Sequence, residues 1–177
     1  MDADKLLNLV VSLGCTLAVS GGEIYRVEES VYRLLRAYGG EDAQVFAIPS
    51  CLIVSLMAED GRPLTRMRRI GAHGTDIELL EACNALSRKL CQTVPPLEEA
   101  QRMVDRLPDT CRRHRPGVVL LGYAAAPACF CPLFGGGLWD AISAFFCGLA
   151  GGTCLLFGNR WLGRNVFLRT LVCSGVA

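Results

Sequence analysis

The sequence predicts an α+β domain of about four helices on a small antiparallel sheet, followed by an α-helical transmembrane hairpin and part of a third membrane helix. Three observations predict it. Mean hydropathy is +0.34 and 51% of the 177 residues are apolar, yet 20% are charged, a combination that describes two unlike halves rather than one average chain. The charges divide accordingly: beyond Arg115 the only Asp, Glu, Lys or Arg residues are Asp140, Arg160, Arg164 and Arg169. Finally, 117–134 and 138–157 are apolar stretches that approach the ~20 helical residues needed to cross hydrocarbon. The domains are therefore residues 1–115, expected in the cytoplasm, and residues 116–177, expected in the membrane.

The first element is a helix. Leu6, Val10, Leu13 and Leu17 recur at three- and four-residue intervals, the stripe of an amphipathic helix. A secretory signal is not expected, because Asp2, Asp4 and Lys5 make the leading residues net negative where a signal begins positive. Next comes "SGGEIYRVEESVYRLLRAYGG", in which Ser20 and Glu23 have capping-box spacing. Ile24, Val27, Val31, Leu34, Leu35 and Tyr38 form one stripe, and Gly39 and Gly40 end the helix. Its other face carries Glu23, Arg26, Glu28, Glu29, Arg33 and Arg36, a spacing typical of a solvated surface laced with ion pairs.

Residues 43–58 are β-branched and apolar around Pro49, so they predict two short strands or one bent edge strand. "EDGR" at 59–62 supplies a turn, and "LTRMRRI" at 64–70 returns as a strand with Arg66 and Arg68 on one face and Met67 on the other. Arg66, Arg68 and Arg69 read as a solvated sheet face, ahead of an anion site. Thr75 and Glu78 suggest a second capping box, opening a helix to about Cys91 whose stripe of Ile77, Leu80, Asn84, Ser87 and Cys91 includes polar groups. Those groups either bond within the core or line a site. Pro95 and Pro96 start another helix, docked through Leu97, Ala100, Val104 and Leu107.

In the second domain, "FGGG" at 134–137 joins the two apolar spans by a turn short enough to make them antiparallel. Gly148 and Gly152 have the four-residue spacing of a close helix contact. Arg112, Arg113 and Arg115 before the hairpin, with Arg160 and Arg164 after it, place both open ends on the cytoplasmic side. Asp140 has two readings: a cap at the start of the second span, or an ionisable group with a role in transport. The stretch from Val166 stops after twelve residues, too short to cross a bilayer, which suggests a chain truncated inside a third membrane helix.

The partners follow from charge. A net charge of +1 and no long basic run exclude nucleic acid, leaving the lipid bilayer and a small molecule. Ten cysteines include no C-x-x-C pair, and His73 and His114 are isolated, so no metal site is expected; the cysteines read as reduced apolar fillers. No phosphate-binding loop, H-E-x-x-H or G-x-S-x-G occurs, and no enzyme activity or cofactor is expected. Were there an active site without such a motif, Glu23, Glu28 and His73 would be its titratable candidates.

"SGGEIYRVEESVYRL", "PLTRMRRI", "EACNALSRKL" and "LFGGGLWDAISAF", in this order, resemble the threonine/serine exporter family from about Leu6 onward. The resemblance implies a cytoplasmic N-terminal domain followed by about five membrane helices in the cell (inner) membrane, with a second membrane subunit or a homo-oligomer as protein partner. It implies export of threonine and serine, or in split relatives of dicarboxylates such as succinate, driven by the proton-motive force without ATP or cofactor. The family pattern G-G-E-x-x-R-V-E falls on Gly21, Gly22, Glu23, Arg26, Val27 and Glu28, and F-G-G-G-x-x-D on Phe134, Gly135, Gly136, Gly137 and Asp140. Of these, Glu23, Arg26, Glu28, Gly135, Gly136, Gly137 and Asp140 are the candidate site residues. Two functions stay open: part of a secondary exporter, or a membrane-anchored ligand-binding or hydrolase-like regulatory module.

Overall fold

Helix α1 (Ala3–Val19) is apolar over most of its circumference, so the fold wraps around it. The computed structural model describes residues 2–40, 42–71, 74–111 and 114–161, with side chains to Leu156. His73 and the apolar stretch from Val166 lie outside the described residues. The chain divides into two compact units, Met1–Arg112 and Arg113–Ala177.

In the first unit α1 packs against α2 (Ile24–Ala37), α3 (Ile77–Thr93), α4 (Leu97–Asp105) and strands β2 (Cys51–Met57) and β3 (Pro63–Arg69). Leu6, Leu9, Val10 and Leu13 are fully buried, each leucine contributing about 1.5–3 kcal/mol over its exposed state. The expected stripe is present, but burial extends well beyond it to Leu7, Val11, Cys15 and Ala18, making α1 the central helix rather than a surface one. Gly14 permits this. A Cβ there would lie 2.6 Å from Leu52 Cδ2 and 2.7 Å from Val31 Cγ2, so the missing methyl lets β2 and α2 close on the helix.

The "SGGE" segment stops α1 instead of starting α2. Gly21 has φ +97° and donates to Ala18 O, while Gly22 donates to Leu17 O, a Schellman closure. Ser20 Oγ donates to Leu17 O as well. The Gly74 and Asp76 N–H groups satisfy the carbonyls of Val19 and Ser20. The expected Ser20–Glu23 capping box therefore does not form: Ser20 is spent on α1, and Glu23 is the α2 N-cap without a side-chain cap bond. Thr75 is likewise displaced by Asp76, whose carboxylate accepts from Leu79 N and caps α3. Gly39 and Gly40 close α2 with the same pair of backward bonds, as expected.

Strand β1 (Gln44–Ile48) pairs antiparallel with β2, and β2 with β3, giving sheet order β1-β2-β3. Pro49 and Ser50 make the hairpin turn, resolving the choice left at Pro49 as two strands. The register sets Arg66 opposite Val54 and Arg68 opposite Leu52, whose side chains are buried. These two arginines thus share the sheet's inner face and reach α1, where Arg66 pairs with Asp4 at 2.9 Å and Arg68 donates to Ser12 Oγ at 3.2 Å. Arg68 and Arg69 are nonetheless exposed and Arg66 is half-buried, so the expected solvated arginine face is largely present, tethered to α1 at two points. The outer face exposes Phe46, Ile48 and Met67 among others, with Phe46 and Met67 aligned through Ile53.

Helix α3 buries Cys83, Ser87 and Leu90, whereas Ile77 is 71% exposed and does not belong to the stripe. Helix α4 docks through Ala100 and Val104, and the one-turn α5 (Leu107–Thr110) through Leu107. Lys5 holds α4 to α1 through Glu98 at 2.6 Å.

The second unit is a helical hairpin. Helix α6 (Pro116–Phe130) continues as a 3₁₀ turn, Cys131–Phe134, started by Pro132, and α7 (Leu138–Trp161) returns beside it. Fifteen α-helical residues and four 3₁₀ residues together span roughly 30 Å, the thickness of a hydrocarbon core.

Candidate functional site

The candidate residues fall into two groups, one at the hairpin tip and one at the start of α2. At the tip each glycine has its own physical task. Gly135 adopts φ +82°. Gly136 donates to Cys131 O, and a Cβ on it would collide with Cys131 Sγ and lie 3.4 Å from Asp140 Cβ. Gly137 presents its N–H to Asp140 Oδ2 at 2.8 Å. Asp140 is the third residue of α7, so its carboxylate caps the helix from the inside, the reciprocal half of a capping box, and sits favourably at the positive end of the helix dipole. Leu133, Phe134, Leu138 and Trp139 surround it with 76–87% exposure, a set of side chains suited to a bilayer interface.

Further along, Gly148 and Gly152 lie directly against α6. A Cβ on Gly152 would be 2.7 Å from Tyr123 Cβ, and one on Gly148 would collide with Tyr123 O and Pro127 Cγ. Close approach at the four-residue spacing is thus present. It has a specific target: Pro127 lacks the N–H that would bond the carbonyl four residues back, which is that of Tyr123. Gly148 brings the α7 backbone over this freed oxygen, where Cα–H groups can compensate it in an apolar medium. The glycine spacing was legible in the sequence; only the alignment of the two helices joins it to Pro127.

In the first unit, Glu23 and Arg26 are brought together. Glu23 Oε2 lies 3.1 Å from Arg26 Nε across one turn of α2, and both are largely exposed. Together with Gly21 and Gly22 they line a cavity of about 240 Å³ against Leu80 and Asn84 of α3. Glycine is required here twice, since Gly21 holds a positive φ and a Cβ on Gly22 would lie 2.8 Å from Leu17 O. Glu28 points elsewhere: its Oε1 accepts from Ala47 N at 2.7 Å, so it ties α2 to strand β1. Asn84 and Ser87, whose role the sequence left open, line the space between α2 and α3.

The described cysteines are free. Burial pushes the Cys83 thiol up to about 12 and raises Cys15 and Cys91 as well, which makes them poor nucleophiles. Among the described residues no group of three or more His, Cys, Asp or Glu side chains is placed to hold a metal ion.

A polar α+β domain joined to two helices, Pro116–Phe134 and Leu138–Leu156, that are long and apolar enough to cross a bilayer defines a membrane protein with a globular head. The family model "Putative threonine/serine exporter" matches residues 8–177, so the chain belongs to that family, a family of transporters rather than enzymes. Comparison with curated proteins and with solved structures gave no match.

Proposed function

We propose that this chain supplies the cytoplasmic head and the first two membrane helices of a secondary exporter in the cell (inner) membrane, exporting threonine and serine or related dicarboxylates under the proton-motive force. The observation that carries this reading is the unbroken family match through head and hairpin alike. The geometry agrees with it. A hairpin braced at Gly148 and Gly152 leaves most of its apolar surface uncovered, as suits a pair that packs among further helices, of the same chain, a second subunit or another copy. Asp140 caps α7 beside a glycine turn, and an ionisable group in such a segment is a candidate for the transport path.

The test is efflux of labelled threonine and succinate from loaded cells producing the chain joined to the further membrane helices typical of the family. Accelerated efflux that collapses with a protonophore is expected. Asp140→Asn keeps the shape and removes the charge, and should slow export about tenfold or more; unchanged export would remove the carboxylate from the mechanism. No acceleration of either solute would overturn the reading.

A further inference from the structure

The groove between α2 and α3 is built for an anion. Helix α2 presents Arg26, Arg33 and Arg36 to it and α3 presents Arg88, against one carboxylate, Glu29. With Glu23, which pairs with Arg26 at the edge, this leaves a local excess of two positive charges in a chain whose net charge is +1. Two of the arginines are already engaged, Arg26 by Glu23 and Arg33 by Glu29. Arg36 and Arg88 have no carboxylate within ion-pair distance among the described residues.

The floor is polar as well. Ser87, only 6% exposed, and Asn84 line it from α3, and side chains of this kind can donate to acceptor oxygens. The groove holds about 830 Å³, within the range of small-metabolite sites, and meets the cavity at Gly21, Gly22 and Glu23 through the shared Arg26 and Asn84.

We infer that this groove binds a small, multiply charged oxyanion, a di- or tricarboxylate or a compound bearing phosphate groups. Guanidinium forks match carboxylate and phosphate bidentately, and a multivalent anion cancels the repulsion among like charges. A zwitterionic amino acid, neutral overall, does not. The site differs in its chemistry from a path for threonine or serine and shares its ligand class with a dicarboxylate path, but it lies in the first unit and its occupancy is read without any transport measurement.

The experiment titrates the full chain in phosphatidylcholine nanodiscs, which keep anionic lipid headgroups out, with citrate and with pyrophosphate by calorimetry. Saturable binding of one or both is expected, with threonine failing to compete. The double variant Arg36→Gln, Arg88→Gln should weaken binding about tenfold or more, whereas Arg106→Gln, at the end of α4 and outside the groove lining, should leave it unchanged. Arg36 and Arg88 are exposed, so the double variant should retain the helical circular-dichroism signal and melting temperature of the parent. No saturation by either anion up to about 10 mM, undiminished binding by the double variant, or equal binding of threonine would each overturn the inference.

Discussion

Cys83 shows how far one side chain's chemistry is decided by its surroundings. In sequence it is a thiol like nine others. In the fold it is fully buried, and burial lifts its pKa from 9.0 to about 12. The sign is that of an acid held in its neutral form: between 9.0 and about 12 the unfolded chain releases the proton and the native chain retains it, so stability falls as pH rises through that window. At pH 8 the native thiol stays protonated. Iodoacetamide at that pH should therefore leave Cys83 unmodified in the native chain and modify it after denaturation, read by peptide mass spectrometry. Native modification at the rate of a free thiol would disprove its burial.

At this same scale the sequence was legible where a residue's task is local. Gly39 and Gly40 end a helix because of their own backbone freedom, and they were read correctly. Ser20 and Thr75 were misread because the deciding partners are remote or adjacent competitors. Ser20 is claimed by α1 and by the segment ahead of α3, and Thr75 stands beside the better-placed acceptor Asp76. Arg66 and Arg68 alternate with Met67 as expected, but only the pairing with β2 reveals that their side of the sheet faces α1.

Among elements, α1 and α7 each depend on glycine for contact with a neighbour, and each makes a prediction. Gly14→Ala should destabilise the first unit by about 1–3 kcal/mol, because the added methyl must push Leu52 and Val31 aside. Urea unfolding followed by circular dichroism measures it, and an unchanged midpoint would mean that the core yields freely there. Gly148→Leu should separate α6 from α7 and re-expose the Tyr123 carbonyl. A disulfide engineered between the two helices across that contact should then form at least about tenfold more slowly. Equal rates would show that the glycine does not set the approach. Periodicity made the existence of these helices plain; the groove between α2 and α3 was not, since its polar stripes lie on two segments separated by the whole sheet.

For the whole molecule, the division between Arg112 and Arg113 lies close to the shift in charge density visible in the sequence, a shift legible without tertiary detail because water and lipid favour different side chains. The matching prediction concerns extraction. Alkaline carbonate should leave the chain in the membrane pellet, and removal of residues 116–177 should release the remainder to the supernatant. Release of the intact chain would mean that its two apolar helices do not insert.

The contact along Gly148 and Gly152 has one further consequence. Two rods touching along a seam enclose no lumen, and this seam is too tight to admit even a methyl group. Any solute passing beside the hairpin must travel along its flank, against a wall contributed by other helices. Discrimination between one cargo and the next would then be shared with residues outside this pair.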